Sequence, residues 1–323
     1  MSNLRKKRME FEMKNIEKLQ QLTQQVETIL LGKSEVVRKI LLVLLSKGHI
    51  LLEDVPGVGK TLISRSIAAS VAGEFSRIQL TPDLLPSDIL GVSIYDSKTE
   101  QFHFKKGPLF ANFVLADEIN RTTPRTQSAL LEAMNEQQIT ADGVTYPLGP
   151  VFMVLATQNP YEFEGTYFLP ENQLDRFMMR IEIGHPSIET EKQILLTQPA
   201  TTKLQKLEPV LSTHDIAEYQ EMLNDITIDD AIIDYILEIA RATRNSSQLW
   251  IGLSTRATLS MMQVARANAL LEGRNYVVPD DVKQYAVEVC SHRLVTKNYS
   301  HNSNISASQS IFQEILDSIP VPR

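Results

Sequence analysis

The sequence predicts an α/β fold in two parts: a parallel sheet flanked by helices over residues 1–187, and a smaller all-helical domain over residues 188–323. Three observations predict it. Short apolar runs alternate with helical patterns in the first part, which is typical of strand–helix–strand units. A glycine-rich loop joins the first of these runs to a helix. Beyond Pro186, apolar residues recur almost only at helical spacing.

The first part opens with a helical pattern over residues 15–43, broken near Gly32, and its first apolar run starts at Ile50. The runs are short and continuous, as expected of buried parallel strands. The later runs cover residues 77–80, 113–116, 151–156 and 177–183, and helical patterns cover residues 62–71 and 126–136. This order predicts one sheet with helices packed on its faces.

The second part contains five segments with apolar residues at helical spacing. They cover residues 189–196, 213–224, 229–244, 254–272 and 279–294. The segment 298–310 is rich in Ser and Asn and predicts a loop, followed by a short amphipathic tail from Ile311. Pro186 and the looser segment 198–207 mark the connection to the first part, so a separate helical domain is expected here.

The composition restricts the classes of function. The chain of 323 residues carries a formal net charge of −7 and one cysteine, Cys290. The acidic balance disfavours nucleic acid as a partner, and a single cysteine excludes an internal disulfide framework. There is no apolar run of transmembrane length, and the polar start does not read as a signal peptide. These features predict a cytoplasmic protein without a transmembrane segment.

The loop after the first strand has the composition of a phosphate-binding loop. Gly57 and Gly59 let backbone N–H groups approach phosphate oxygens. Lys60 can reach the outer phosphates, and the Thr61 hydroxyl can bind Mg²⁺. Asp54 stands where the usual pattern has its first glycine, so the strict pattern fails, and a carboxylate there would repel phosphates unless it points away. The predicted nucleotide-binding residues of this segment are Pro56, Gly57, Val58, Gly59, Lys60, Thr61 and Leu62. An ordinary glycine turn before a helix is the alternative.

Two adjacent acids, Asp117 and Glu118, follow the apolar run at residues 113–116. Open α/β sheets bind ligands at the carboxyl ends of their strands, where these acids are expected. Asp117 can hold Mg²⁺ through its waters, and Glu118 can polarise the water that attacks a γ-phosphate. Together with the lysine loop, the pair predicts hydrolysis of a nucleoside triphosphate. The alternative is a pair of acids that caps a helix N-terminus.

The residues, order and spacing of four segments point to one family. They are Leu-Leu-Glu-Asp-Val-Pro-Gly-Val-Gly-Lys-Thr at 51–61, Ala-Asp-Glu-Ile-Asn-Arg at 116–121, Ala-Thr-Gln-Asn-Pro at 156–160 and Leu-Pro-Glu-Asn-Gln-Leu-Asp-Arg-Phe at 169–177. In these segments the chain resembles the MoxR family of AAA+ ATPases, and the resemblance covers nearly its whole length. It implies a P-loop NTPase (AAA+) core with a helical lid, ATP and Mg²⁺ as ligands, tolerance of an acid at Asp54, and adenine contact near Gly32.

The resemblance also assigns three catalytic residues by position. Asn159 would orient the attacking water beside Glu118, and Arg176 would be an arginine finger that reaches a neighbouring subunit's γ-phosphate. Arg256 would contact the nucleotide from the lid of its own subunit. Plainer interpretations stay open: a turn asparagine before Pro160, a salt bridge from Arg176 to a nearby acid, and a surface arginine at a helix start.

Two further segments fit this family. Residues 84–106 resemble an insertion within the second helix, and residues 137–148 resemble a hairpin that precedes the strand leading to Asn159. Asp142-Gly143 is the turn signal of that hairpin. Related motors use such hairpins to grip a substrate or partner, and plain surface hairpins are the alternative.

The resemblance implies an ATPase that assembles as a ring, with six subunits, and remodels or activates a client protein in a chaperone-like manner. An arginine finger that acts on a neighbouring subunit would explain why a ring is needed. An isolated subunit would lack part of the positive charge that surrounds its bound phosphates. The family suggests a partner with a von Willebrand factor A domain. Two alternatives stay open: a nucleic-acid translocase, and a nucleotide-gated interaction module with slow hydrolysis.

Overall fold

A computed structural model describes residues 17–55, 57–159, 167, 169–297 and 304–322. Pro56, one of the predicted nucleotide-binding residues, lies outside this part of the chain. Within it, a parallel sheet with helices on both faces is followed by a mainly helical region. The α/β fold predicted from the sequence is confirmed.

The sheet is built from strands that alternate with helices along the chain. The strands of the structure are β1 (Ile50–Glu53), β2 (Phe75–Gln79), β3 (Gly91–Asp96), β4 (Gln101–Lys106), β5 (Phe113–Asp117), β6 (Gln138–Ala141), β7 (Val144–Pro147), β8 (Met153–Gln158), β9 (Met179–Ile181), β10 (Leu249–Ile251) and β11 (Val295–Thr296). The order in the main sheet is β2-β5-β8-β1-β9, and every pair in it is parallel. β1 and β5 are buried along their whole length, as expected of strands covered on both faces.

Helices cover both faces of the sheet and form the region that follows it. They are α1 (17–27), α2 (Ser34–Leu45), α3 (Lys60–Ser70), α4 (Pro86–Leu90), α5 (Pro124–Glu136), α6 (Glu171–Leu174), α7 (Ile188–Thr197), α8 (Pro199–Thr202), α9 (Thr213–Met222), α10 (Asp230–Asn245), α11 (Thr255–Leu271), α12 (Pro279–Lys283), α13 (Ala286–Cys290) and α14 (Asn304–Ser318). In the described ranges, no helix combines the length and apolar character needed to cross a bilayer.

Helix α2 joins the sheet to the helical region. It contacts β9 of the sheet and α9 and α11 of the helical region, and eight of its twelve residues are buried. Residues 40–45, the second half of the helix, are all apolar and all buried, as expected where several elements cover a helix. One continuous apolar core therefore runs from the sheet into the lid.

The second part departs from the sequence prediction in three places. β10 and β11 pair as antiparallel strands, so the region is not entirely helical. These strands are too short to show a periodic signal. The predicted helix over residues 279–294 is divided into α12, α13 and a short 3₁₀ turn. The predicted loop over residues 298–310 gives way to α14 from Asn304 onward, because buried Phe312 and Leu316 outweigh the low helix propensity of Ser and Asn.

Two hairpins project from the sheet region. β3 pairs with β4, and β6 pairs with β7 through a turn in which Asp142 and Gly143 both have positive φ, as the sequence signal predicts. The rings of Phe104 and Tyr146 stack at 4.2 Å between centroids and join one hairpin to the other. Phe102 is 72% exposed and lies across from Tyr95, which is also exposed.

His49, at the entry to β1, is expected to make the stability of the fold depend on pH. Its Nε2 lies 3.0 Å from Met134 O, and its Nδ1 accepts a hydrogen bond from Val154 N at 3.0 Å. Complete burial lowers the pKa of His49 from 6.5 to about 4. The unfolded chain therefore takes up this proton at a higher pH than the folded chain does. The contribution of neutral His49 to the stability of the fold is fully present above about pH 6.5 and is lost as the pH falls towards 4.

This pH dependence can be measured by urea unfolding. Between pH 7 and pH 5, His49 is expected to account for a loss of about 2 kcal/mol in the free energy of unfolding. His49→Gln should make the decline smaller by that amount, and His214→Gln, at an exposed position, should leave it unchanged. An equal decline in His49→Gln and in the parent chain would contradict the prediction.

Candidate nucleotide-binding site

Four of the predicted site residues lie at one edge of the sheet. Lys60 begins α3 after β1, Asn159 follows β8 directly, and Asp117 and Glu118 lie at the end of β5. Because β5, β8 and β1 are adjacent and parallel, their carboxyl ends meet at this edge. The fold thus brings the lysine loop, the acid pair and Asn159 together from segments that are far apart in the sequence.

The loop before α3 leaves space for phosphate groups. Gly57 and Gly59 have φ of +91° and +98°, which side chains rarely adopt, and a Cβ added at either would meet no atom within 4 Å. The first N–H groups of α3 have no carbonyl partner within the helix, so they are available to an anion. Val58 and Leu62 pack against the apolar core and fix the loop from behind. The loop therefore fits the triphosphate of a nucleotide.

Lys60 lies in the electrostatic field of the predicted acids. Its half-buried position lowers the pKa of the ammonium group below its usual value, and the carboxylates of Asp54, Asp117 and Glu118 oppose that shift. The Nζ atom donates a hydrogen bond to the main-chain oxygen of Asp54 at 2.5 Å. A bound anion at this edge of the sheet would likewise offset the burial of the cation.

The Asp54 carboxylate points away from the phosphate loop. Its Oδ2 accepts hydrogen bonds from the N–H groups of Ile183 and Gly184, at 2.8 and 2.6 Å. Its Oδ1 accepts one from the N–H of Val55 at 2.8 Å. The position at which the usual pattern has glycine therefore holds an acid that is turned towards the segment after β9.

Asp117 is a buried carboxylate with two side-chain donors. Thr157 Oγ1 donates to Oδ1 at 3.1 Å, and Arg77 Nε donates to Oδ2 at 2.6 Å. Thr61 lies in the first turn of α3 at the same edge of the sheet. Carboxylate and hydroxyl oxygens are ligands that Mg²⁺ accepts, with waters and phosphate oxygens completing the shell. No cluster of three or more His, Cys, Asp or Glu residues able to bind a metal occurs among the described residues.

Glu118 is held in a defined orientation by its neighbours. Its backbone is left-handed, with φ of +59°, and its N–H donates to Thr157 Oγ1 at 2.9 Å. Gln79 Nε2 donates to Oε2 at 2.8 Å, and Arg121 Nη1 lies 3.3 Å from the same oxygen. A carboxylate fixed at the strand end in this way can accept a proton from a water at the site.

Three of these partners were missed from the sequence: Arg77, Gln79 and Thr157. The parallel register places Gln79 beside Asp117 and Arg77 two residues earlier, so both side chains reach the acid pair from β2. The sequence does show that Arg77 and Gln79 are two apart in a predicted strand and so face the same side of the sheet. It does not show which strand lies beside β2, because Asp117, the residue paired with Gln79, is 38 residues further along the chain.

Arg176 contacts α5. Its Nη1 donates to Leu131 O at 2.9 Å. With the Asn135 amide turned so that its oxygen faces the guanidinium, that oxygen accepts from Nη1 at 2.7 Å and from Nε at 3.2 Å. The side chain lines an open polar cavity of about 500 Å³, together with Glu132 and Gln173. The guanidinium is thus presented at a surface cavity beside α5.

Arg256 lies in the first turn of α11 and is half exposed. Its Nη1 is 3.7 Å from Asp175 Oδ2, and Arg293 Nη1 is 3.5 Å from Oδ1 of the same carboxylate. Ser254, which caps α11, donates to Asp175 at 3.0 Å. The structure therefore places this lid arginine beside Asp175, the acid next to Arg176.

Gly32, predicted near the adenine, adopts φ of +72° before α2, and a Cβ there would lie 3.0 Å from Thr190 on α7. Lys33, the next residue, reaches the segment after β9 with its ammonium group. The loop near Gly32 and the start of the lid are therefore in contact.

Comparisons with known proteins agree with this geometry. Residues 49–179 match the ATPase family associated with various cellular activities, and residues 241–315 match the AAA lid domain. An uncharacterized protein, YeaC, of Bacillus subtilis is 46% identical, covering 92% of each chain. Chaperone MoxR1 of Mycobacterium tuberculosis is 42% identical, over 93% of this chain and 81% of the relative.

A solved structure has the same fold. The crystal structure of a Cytophaga hutchinsonii protein that has been proposed to be an ATPase superposes with a TM-score of 0.90 at 36% identity. The match covers 98% of this chain and 99% of the other. The arrangement of sheet, phosphate loop and lid is therefore shared over essentially the full length.

Proposed function

The chain belongs to the MoxR family of AAA+ ATPases, and from that premise we propose that it hydrolyses ATP with Mg²⁺ in a ring of subunits to remodel or activate a client protein. The observation that carries the proposal is the position of Lys60, at the start of α3, at the same edge of the sheet as Asp117 and Glu118 at the end of β5. A cation, a buried acid and an oriented acid at one strand edge are the parts that phosphoryl transfer to water requires.

The residues take distinct roles in this proposal. The backbone of residues 57–62 and Lys60 bind the phosphates, and Thr61 and Asp117 hold Mg²⁺. Glu118 accepts the proton of the attacking water, and Asn159 orients that water. When bound, ATP supplies the electrophilic γ-phosphate. The chain contributes position, charge and exclusion of competing water.

Ring assembly rests on Arg176. Its guanidinium is presented at a polar surface cavity beside α5, so a neighbouring subunit's nucleotide is a suitable target for it. Head-to-tail contacts repeated by rotation close into a ring, and six subunits is the number that the family suggests. Arg256 would leave Asp175 for the nucleotide of its own subunit and so couple the lid to the nucleotide state.

The chaperone-like role, the cytoplasmic location and a partner with a von Willebrand factor A domain rest on family membership. One relative, Chaperone MoxR1 of Mycobacterium tuberculosis, is named as a chaperone. The net charge of −7 disfavours a nucleic-acid client. Addition of single- or double-stranded DNA is the corresponding check, since a translocase would respond with faster ATP hydrolysis.

The direct test is ATP hydrolysis with Mg²⁺ by the purified chain and by Lys60→Met. The variant removes a charge-assisted contact to phosphate worth about 1.5–3 kcal/mol, so nucleotide affinity should fall at least about tenfold. Lys98→Met, at an exposed turn residue of the β3–β4 hairpin, is the matched control and should keep both affinity and turnover. Equal nucleotide binding by Lys60→Met and the parent chain would overturn the site assignment.

A further inference from the structure

The segment that links β9 to α7, residues 182–187, is held by two opposite charges. Asp54 Oδ2 accepts the N–H groups of Ile183 and Gly184, at 2.8 and 2.6 Å. Lys33 Nζ donates to the main-chain oxygens of Ile183, Gly184 and His185, at 2.7, 2.9 and 3.0 Å. Five backbone groups of three consecutive residues are thus bound by one carboxylate and one ammonium group. Charge-assisted hydrogen bonds of this kind are stronger than neutral ones.

The two charges come from the two loops that are assigned to the nucleotide. Asp54 directly follows β1, the strand that leads into the phosphate loop, and its main-chain oxygen accepts from Lys60 at 2.5 Å. Lys33 follows Gly32, in the loop predicted to contact adenine. Burial lowers the pKa of Lys33, and the Asp54 carboxylate opposes that shift, so the two groups also interact electrostatically.

We propose that Asp54 is a positioning residue that ties the phosphate loop to the linker between the core and the lid, with Lys33 as its counterpart on the opposite side. The inference rests on the proposed function, because it concerns how the state of that nucleotide site reaches the lid. It also explains why an acid is present where the usual loop pattern has glycine.

The coupling follows from what Lys60 must do. Its ammonium group donates to the Asp54 main-chain oxygen at 2.5 Å and has two further N–H groups that can donate to phosphate. When phosphate oxygens share this ammonium group, its bond to the Asp54 oxygen weakens and the peptide that follows β1 can shift, while the Asp54 carboxylate stays bonded to the linker. A small shift of this peptide moves residues 183–184, and α7 starts at Ile188, four residues further on. The lid therefore senses occupancy of the phosphate loop through the backbone.

An amide cannot replace the carboxylate in this role. Asp54 accepts three N–H groups through two oxygens, which suits an acceptor-only side chain. In Asp54→Asn, one of those oxygens becomes an NH₂ group that faces N–H donors, and the attraction to Lys33 is lost. The substitution keeps the shape of the side chain and introduces no charged group near the phosphates.

The test measures lid position and catalysis in the same chain. Cysteines introduced as Arg65→Cys on α3 and Glu238→Cys on α10, both at exposed positions, carry a fluorescent donor and acceptor. The native Cys290 stays unlabelled because it is buried and its pKa is raised to about 12. Transfer efficiency is compared with ADP and with a non-hydrolysable ATP analogue, and kcat, KM and nucleotide affinity are measured in parallel.

We expect the transfer efficiency of the parent chain to differ between the two nucleotides. In Asp54→Asn that difference should fall by half or more and kcat should fall about tenfold, with KM and nucleotide affinity within about threefold. Lys33→Met should change the same quantities in the same direction, and it carries the test if Asp54→Asn does not fold. Asp96→Asn is the control, since Asp96 also accepts a backbone N–H but lies in the β3–β4 hairpin.

Two results would overturn the inference. One is an Asp54→Asn chain, or in its place Lys33→Met, that keeps both the nucleotide-dependent difference in efficiency and the parent kcat. The other is loss of nucleotide binding by Asp54→Asn with normal binding by Lys33→Met, which would make Asp54 a part of the phosphate loop alone. A parent chain that binds nucleotide without hydrolysing it would contradict the proposed function. The nucleotide-dependent difference in transfer efficiency would still show whether Asp54 and Lys33 couple the phosphate loop to the lid.

Discussion

Arg176→Ala is expected to lower ATP turnover by about 10³-fold while ATP binding stays measurable. The guanidinium would stabilise charge that develops on the phosphate of a neighbouring subunit, so its removal affects the transition state more than the bound nucleotide. The contacts of Arg176 with Leu131 and Asn135 orient its side chain along α5. Truncation at this exposed cavity is expected to cost little stability.

A mixing experiment separates action on a neighbour from action within one subunit. Arg176→Ala keeps an intact acid pair but supplies no finger, and Glu118→Gln supplies a finger but has no base. A mixture of the two inactive chains should recover part of the parent turnover, because some sites then combine Glu118 from one subunit with Arg176 from the next. Arg241→Ala, at an exposed position on α10, is the control and should hydrolyse ATP normally.

Undiminished hydrolysis by Arg176→Ala would contradict the finger role altogether. Loss of turnover without any recovery on mixing would place the arginine in its own subunit's site and remove the chemical reason for a ring. Sedimentation of both variants with nucleotide completes the comparison, since recovery requires that they assemble together.

The parts of the site that are local in sequence could be predicted. The first strand, Gly57, Gly59, Lys60 and Thr61 lie within a dozen residues, so the order strand, loop and helix can be predicted from this segment alone. The position of the acid pair at a strand end was predictable for the same reason. The turn at Asp142-Gly143 is equally local, because two residues with positive φ are enough to define it.

The parts that depend on distant pairing could not be predicted. The partners of Asp54 are backbone N–H groups 129 and 130 residues away, and backbone groups leave no mark in the sequence. The contact of Arg256 with Asp175 requires that the lid be placed on the core. The β10–β11 pair likewise joins strands that are separated along the chain by α11, α12 and α13.

Glu118→Gln is the second substitution with a large expected effect: turnover should fall by about 10²–10⁴-fold, with ATP still bound. The amide has the size of the carboxylate and keeps an oxygen for Gln79 Nε2 and Arg121 Nη1, so the orientation of the side chain is retained. The amide, unlike the carboxylate, cannot take a proton from water at neutral pH. The left-handed backbone at this position is as demanding for Gln as for Glu, so the fold should be unaffected.

Because Glu118→Gln should stop the cycle with ATP in place, it also identifies what the chain acts upon. If a partner is retained on this variant with ATP and released with ADP, its binding depends on which nucleotide is bound, and not only on whether the site is occupied. A nucleotide-gated interaction module would keep its full effect on that partner when hydrolysis is blocked, because binding alone is its function. A machine that remodels a client would bind the partner and leave it unchanged. If Glu118→Gln hydrolyses ATP at the parent rate, the acid is not the base, and the proton must be taken by another group at the end of β5 or β8.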